Sequence, residues 1–461
     1  MLNDILITPR VESPRRELIE RLAHQLELAL DSPRGQSQPI GLTDLLEQLG
    51  AQLWDAAGLD PAKLADDLDA ARDAQQPLRL VVTDPDTLAW PWETLYHGDD
   101  RLQFLAQHPW CILLRRLAGR GTNVPQALPR PFRLLLLLVA SPEDLDAERS
   151  RLDYEQEEEL LYTALDRPLA RGEVVIDVAE DGCLETLWDR LRRNQYHAVI
   201  LSMHGATACN AQQQAEWGLL FEDSRTGRAR PVAGSDLAAG FDELPGTRPG
   251  LVMLSVCRTS RLEENQGVIT SVAQRLHVGG IERVLGMRLS VLDAAAAALT
   301  AGLFEWLIAG LSVGRALSLA RRELATGAWL ADKSAGDHPR RDGPDSGKPA
   351  VDPCAQWTLP VLLDRTADGP LVDLQRQVDL RPVAALPERI SGDGSLAMPQ
   401  RATCERNPQV RVLGFRAPFE LDRLYTLVDA AFPRHEPLAL LRQAWAVREN
   451  GVRLTGFNSG R

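Results

Sequence analysis

Two apolar runs, Ala198-Val-Ile-Leu-Ser-Met203 and Leu251-Val-Met-Leu-Ser-Val256, limit what this chain can fold into. Each is short for a helix and too uniformly apolar for a strand with one face in water, so both read as buried parallel strands. The first delivers His204 and Gly205 to its carboxyl end, and the second delivers Cys257. In an open α/β sheet, ligands bind beyond the carboxyl ends of the strands. A thiol and an imidazole meeting there are the minimal machinery of covalent acyl transfer. The imidazole of His204 would take the thiol proton of Cys257, and the backbone amides of Gly205 and Cys257 are candidate oxyanion-hole donors.

The surrounding sequence has the rhythm such a sheet needs. Apolar runs at Phe132–Val139, Glu173–Val178 and Glu282–Met287 alternate with helical stretches over 152–166, 184–194 and 268–277. Ala-rich helices follow at 293–309 and 313–326, and Trp357–Leu363 reads as a last strand. Short strands alternating with helices predict a mainly parallel sheet covered on both faces. Upstream, Leu18, Ile19, Leu22, Leu26 and Leu30, and then Leu45, Leu46, Leu49 and Leu53, recur at helical spacing. Residues 78–83 and 111–115 read as strands.

This divides the chain into a helical N-terminal region (1–75), an entry segment (76–130), a core (131–365), a linker (366–410) and a small helical C-terminal unit (411–461). The stretches directly after the reactive pair, 206–216 and 258–267, read as loops that gate the site. We expect the isolated protein to be poorly active until an activating protein or ligand rearranges them.

Composition excludes several classes. A net charge of −13 argues against general nucleic-acid or anionic-membrane binding. Six scattered cysteines without a CxxC pair argue against a zinc site or a disulfide scaffold, and predict a reducing, cytoplasmic location. No apolar stretch is long enough for a membrane span, and no GxxxxGK[ST] loop is present. Cys209, His197 and His277 have no matching partner in a strand-end pattern, and a structural role is expected for each.

The order His204-Gly205, then Leu254-Ser-Val-Cys257-Arg-Thr259, resembles the CHAT domain, a bacterial relative of caspases and separase. Trp90-Pro-Trp-Glu-Thr-Leu95 is similar to the PWE-x-L segment near the start of that domain. Gly279–Gly286, Val291–Ala295, Gly310–Arg321 and Trp357–Pro360 resemble its later blocks. The resemblance covers residues 78–364. It implies a caspase-like fold and a cysteine endopeptidase without metal or organic cofactor, acting through a thioester acyl-enzyme on a protein substrate encoded nearby. It also implies a role in bacterial defence or programmed cell death.

Several positions depart from the family pattern. Met203 stands where a small residue is usual, Arg258 replaces the usual Glu, and the Trp commonly found before Asp293 is missing. Met203, Arg258, Asp293 and Arg288 are the candidate substrate-pocket residues. An acidic wall at Asp293 would select a basic residue before the scissile bond, whereas Arg258 and Arg288 would invert that preference. Asp293 reads equally well as the N-cap of the helix that follows. Two other functions stay open: a degenerate peptidase fold serving as an interaction module, and a Cys-dependent acyltransferase or hydrolase of small molecules. The terminal helical regions are candidate recruitment or oligomerisation units.

Overall fold

The apolar runs become strands as their spacing predicts, but the sheet they build is wider than expected, and its main path changes direction once. In the computed structural model, the described residues are 4–9, 11–31, 41–117, 126–138, 161–179, 181–246, 248–256, 268–289, 293–327, 353–378, 409–410 and 419–420. By internal contacts the chain divides into two units, Met1–Val378 and Asp379–Arg461.

The first unit opens with β1 (Ile5–Ile7), then α1 (Ser13–Asp31), α2 (Leu42–Ala57) and α3 (Pro61–Asp73). Asp60 caps α3 by accepting from the Lys63 amide at 3.0 Å, with Pro61 in the first turn. There follow β2 (Leu78–Val82), β3 (Cys111–Arg115), β4 (Leu128–Arg130), β5 (Phe132–Leu138), α4 (Asp166–Ala170), β6 (Val174–Ala179) and α5 (Leu184–Arg193). Next come β7 (Ala198–Cys209), β8 (Ala215–Glu222), β9 (Ala229–Ala233), α6 (Gly234–Asp242), β10 (Leu251–Val256), α7 (Val268–Val278) and β11 (Arg283–Met287). The unit ends with α8 (Asp293–Ile308), α9 (Val313–Ala325), β12 (Pro360–Asp364) and β13 (Val372–Gln377).

Among the described residues, eleven strands join one sheet in the order β1-β2-β3-β12-β11-β10-β7-β5-β6, with β8 and β9 branching from β7. The pairs of β5, β6, β7, β10 and β11 are parallel. β12 is antiparallel to β11 and parallel to β3, so β1, β2, β3 and β12 run opposite to β5, β6, β7, β10 and β11. The architecture is α/β, a mainly parallel sheet flanked by helices.

Strand alternation sorts the core into two faces. One holds Ala198, Ile200, Leu251, Met253, Leu285 and Met287, packed with side chains from α1, α2, α3, α8 and α9. The other holds Val199, Leu201, Met203, Val252, Leu254 and Val284, packed with side chains from α5, α6 and α7.

Three details differ from the sequence reading. A strand, β1, precedes the N-terminal helices and pairs with β2, and periodicity cannot flag three residues. The segment expected to be a linker from 366 onward contains β13, which pairs in parallel with β4 through residues 372–377. Its Val-Asp-Leu-Gln-Arg-Gln sequence is polar because it belongs to an exposed two-stranded sheet. The last strand of the core starts at Pro360, because Pro353–Thr358 forms a 3-10 helix. Most of the expected helix over 152–166 lies outside the described residues. In the second unit, β14 (Gln409–Val410) pairs antiparallel with β15 (Phe419–Glu420). The expected C-terminal helices lie almost wholly outside the described residues.

The entry segment is held by a buried ion-pair cluster. Trp92, Glu93 and Thr94 form a short 3-10 turn, and Glu93 is fully buried. Arg115, at the end of β3, grips Glu93 with two bonds of 2.5 and 3.0 Å and donates to the carbonyls of Leu88 (2.7 Å) and Trp90 (2.8 Å). Arg321 of α9 lies 3.7 Å from the same carboxylate and donates to the Pro360 carbonyl at 2.6 Å. Burial pushes the Glu93 carboxyl up, but Arg115 and Arg321 outweigh it and hold it below the usual carboxylate range. Gly50 of α2 packs directly on this turn, where a Cβ would sit 2.1 Å from the Thr94 carbonyl oxygen.

Candidate active site

β7 pairs with β10 in register from Ala198↔Leu251 to Met203↔Val256. Beyond Met203 the strand leaves the parallel sheet without ending. His204 faces Leu220 across an antiparallel hairpin with β8, and Gly205 faces Leu219. Val256, the residue before Cys257 in sequence, therefore stands opposite Met203, the residue before His204. Cys257 and Arg258 lie outside the described residues.

His204 is 1% exposed. It is two residues past Ser202 and four past Ile200, so its side chain belongs to the face packed by α8 and the N-terminal helices. Met203 points to the opposite face, into the cluster with Val199 and Leu201. This corrects the expectation that Met203 lines a substrate cleft with His204: alternation places the two side chains on opposite sides of the sheet.

The loop expected over 206–216 is also corrected. Residues 206–209 continue β7, β8 begins at Ala215, and Asn210 ties the turn between them. Its side-chain oxygen accepts from the amides of Gln212 (3.0 Å) and Gln214 (2.9 Å), and its own amide donates to the Gln214 carbonyl at 3.0 Å. Small Ala and polar Gln residues disguise this hairpin as a loop. β9 packs on it so closely that a Cβ on Gly218 would meet the Val232 carbonyl oxygen at 1.9 Å. The second expected gating loop, 258–267, lies outside the described residues.

Arg288 follows β11 at the same carboxyl edge, and its amide donates to the Leu359 carbonyl at 2.9 Å. Its side chain is 5% exposed, with Nη1 3.4 Å from the Glu27 carboxylate of α1, while Nε and Nη2 lack partners among the described residues. Burial lowers its guanidinium pKa, against the pull of Glu27 and Glu93. The N-terminal helix thus reaches this end of the sheet, a long-range contact with no signal in sequence. The backbone of Asp293 opens α8, and its side chain lies outside the described residues.

His197 and Cys209 play no part in this arrangement. The His197 ring stacks on Phe132 at 4.6 Å, its Nδ1 accepts from the Arg133 amide at 2.9 Å, and its Nε2 faces the Leu128 carbonyl at 3.3 Å. Cys209 is exposed at the far end of β7. His277 is buried in the last turn of α7.

Two residues escaped the sequence reading. Ser202 and Ser255 are registered partners, both fully buried, each two positions before a candidate catalytic residue. The repeated pattern Ser-x-His and Ser-x-Cys was the available signal. Among the described residues, no group of three His, Cys, Asp or Glu side chains could hold a metal ion, and no helix is long and apolar enough to cross a membrane.

No curated protein matches this chain. Among solved structures, the separase–securin complex of Saccharomyces cerevisiae aligns at 14% identity over 77% of this chain and 23% of that chain, with a TM-score of 0.34. The Arg-specific cysteine proteinase gingipain R aligns at 9% identity over 81% of this chain and 78% of that one, with a TM-score of 0.38. The chain therefore spans less than a quarter of the separase it matches. The sequence profile of the CHAT domain matches residues 44–346, well over half of the 461 residues, and the protein belongs to the CHAT-domain family.

Proposed function

We propose that the chain is a cysteine endopeptidase in which His204 is the general base and Cys257 the nucleophile. The observation that carries this reading is the register Met203↔Val256, which brings the residues preceding the two reactive groups side by side on adjacent parallel strands. Such strands lie about 4.8 Å apart, so one peptide step from each keeps a thiol within reach of an imidazole. The thiol proton passes to the ring as sulfur attacks the peptide carbonyl. The oxyanion is held by the amides of Gly205 and Cys257, the leaving amine takes the proton back, and water then cleaves the thioester. Membership of the CHAT family supports the same chemistry.

The substrate in this reading is a dedicated protein encoded nearby, cut in a bacterial defence or cell-death response in the cytoplasm. We infer cleavage after a basic residue, with Asp293 as the acidic wall. The burial of Arg288 beside Glu27 supports it, because a described cation that would oppose a basic side chain is packed away against a carboxylate. An activating partner or ligand acts through the segment 258–267.

Co-expression of the chain, or its Cys257→Ala variant, with neighbouring gene products tests the central claim. Site-specific cleavage is expected with the natural chain alone, and cleavage that survives Cys257→Ala overturns the reading. A peptide library then reports the preceding residue, and a preference for Asp or apolar residues would remove the specificity claim.

A further inference from the structure

We propose that Ser255 is a positioning residue for His204, its hydroxyl oxygen accepting a hydrogen bond from the imidazolium that forms when His204 takes a proton. The proposal rests on the reading of His204 as the base of the site. Ser255 is fully buried, and among the described residues its Oγ has no hydrogen-bond partner. A buried hydroxyl left without a partner costs free energy that an alanine at the same place would not, so such a group calls for a use.

The strand geometry supplies one. Ser202 and His204 are two residues apart on β7 and share a face of the sheet. Ser255 is the registered partner of Ser202 on the neighbouring parallel strand, so it shares that face as well. It is therefore diagonal to His204, one row toward the amino ends of the strands. Diagonal neighbours of this kind lie roughly 7–8 Å apart, within reach of an aromatic ring.

The rest of the face in and below this row is apolar: Ile200, Met253, Leu285 and Met287. A neutral imidazole can rest against such a surface, whereas an imidazolium there is stabilised by each further acceptor within its reach. Charged residues on the strands around the ring are few. β10 has none, β8 carries Glu216 and Glu222, β9 carries Arg230, and β5 carries Arg133. β11 carries Arg283 at its opposite end, α8 carries Asp293 at its first position and Glu305 in its second half, and the Arg288 guanidinium lies beside the Glu27 carboxylate of α1 at this end of the sheet. The residues registered beside His204 across the hairpin, Leu220 and then Pro231, are uncharged. When the proton moves from the Cys257 sulfur to the ring, a ring N–H turns toward the Ser255 oxygen. Ser255 keeps its own proton throughout and lends only a lone pair.

The test follows the His204 ring by NMR titration in the full chain, assigned through His204→Gln, in the natural protein and in Ser255→Ala and Ser255→Thr. We expect Ser255→Ala to lower the titration midpoint by about one pH unit, an approximately tenfold loss of imidazolium above the midpoint. The same variant should unfold at an unchanged or higher temperature, because it removes an unsatisfied hydroxyl. Ser255→Thr keeps the oxygen and should keep the midpoint. An unmoved midpoint in Ser255→Ala, or an equal fall in Ser255→Thr, overturns the proposal. The titration needs no substrate, so it is separable from the peptidase reading, which stands or falls on Cys257→Ala.

Discussion

Met203 and Val256 are registered partners on adjacent parallel strands, yet Met203 and His204, neighbours in sequence, serve opposite faces of the sheet. The site thus depends on pairing across strands. If the pairing sets up the dyad, Cys257→Ala should abolish substrate cleavage. His204→Ala should lower it by about 10²–10⁴-fold, the usual contribution of a general base. Iodoacetamide labelling of Cys257, followed by mass spectrometry, checks the pair without a substrate. Loss of His204 should slow labelling near pH 7, and equal rates in both proteins would count against a working dyad.

Glu93 is the hub of the buried cluster with Arg115 and Arg321. Glu93→Gln keeps the shape but leaves two buried guanidinium groups without a counter-charge. Removing one partner of a buried pair typically costs about 3–5 kcal/mol. Urea unfolding should show a loss in that range, and a change below about 1 kcal/mol would mean that the cluster contributes little.

Gly50 and Gly58 separate two reasons for glycine. At Gly50 an added Cβ would collide with the Thr94 carbonyl, so Gly50→Ala should destabilise by about 1–3 kcal/mol through overpacking. At Gly58, the left-handed cap of α2 with φ +64, nothing lies within 4 Å of an added Cβ. Gly58→Ala meets only backbone strain and should cost about 1 kcal/mol. Equal losses in the two variants would argue against the close approach of α2 to the Trp92–Thr94 turn.

Burial lowers the His197 pKa to about 4, despite the favourable Leu128 carbonyl. The unfolded chain binds the proton near pH 6.5, while the folded protein resists it until about 4. His197 therefore contributes its full share of stability above about pH 6.5 and loses it as the pH falls toward 4, by about 3 kcal/mol at most. His277 is depressed to about 4 by burial as well and acts in the same window. Unfolding free energies at pH 7 and pH 4.5 should differ less in His197→Asn than in the natural chain. An unchanged difference would show that His197 is already solvated or charged in the native state.

Much of the fold was legible because its strongest signals are local. Leu251–Val256 and Ala198–Met203 are dense enough in apolar and β-branched residues to announce buried strands. Ser13–Asp31 and Val313–Ala325 carry helical spacing that any window reveals. The hairpin after His204 was missed for the opposite reason. Its alanines and glutamines carry little strand signal, and it is held by pairing with β8 and β9 and by the Asn210 turn. The direction change at β12 was invisible because a strand reads the same whichever way its neighbour runs.

By itself, the sequence determined the central strands and most of the helices that flank them, and that a His and a Cys stand at the ends of two buried runs. Only the tertiary structure decided that Met203 turns away from His204, that Arg288 meets Glu27 and that Glu93 is clasped by Arg115 and Arg321. It alone paired Ser255 with Ser202 in the row beneath the imidazole. Periodicity is written in neighbouring residues. Face, register and burial arise from contacts between residues far apart in the chain, and those contacts set the chemistry at this edge of the sheet.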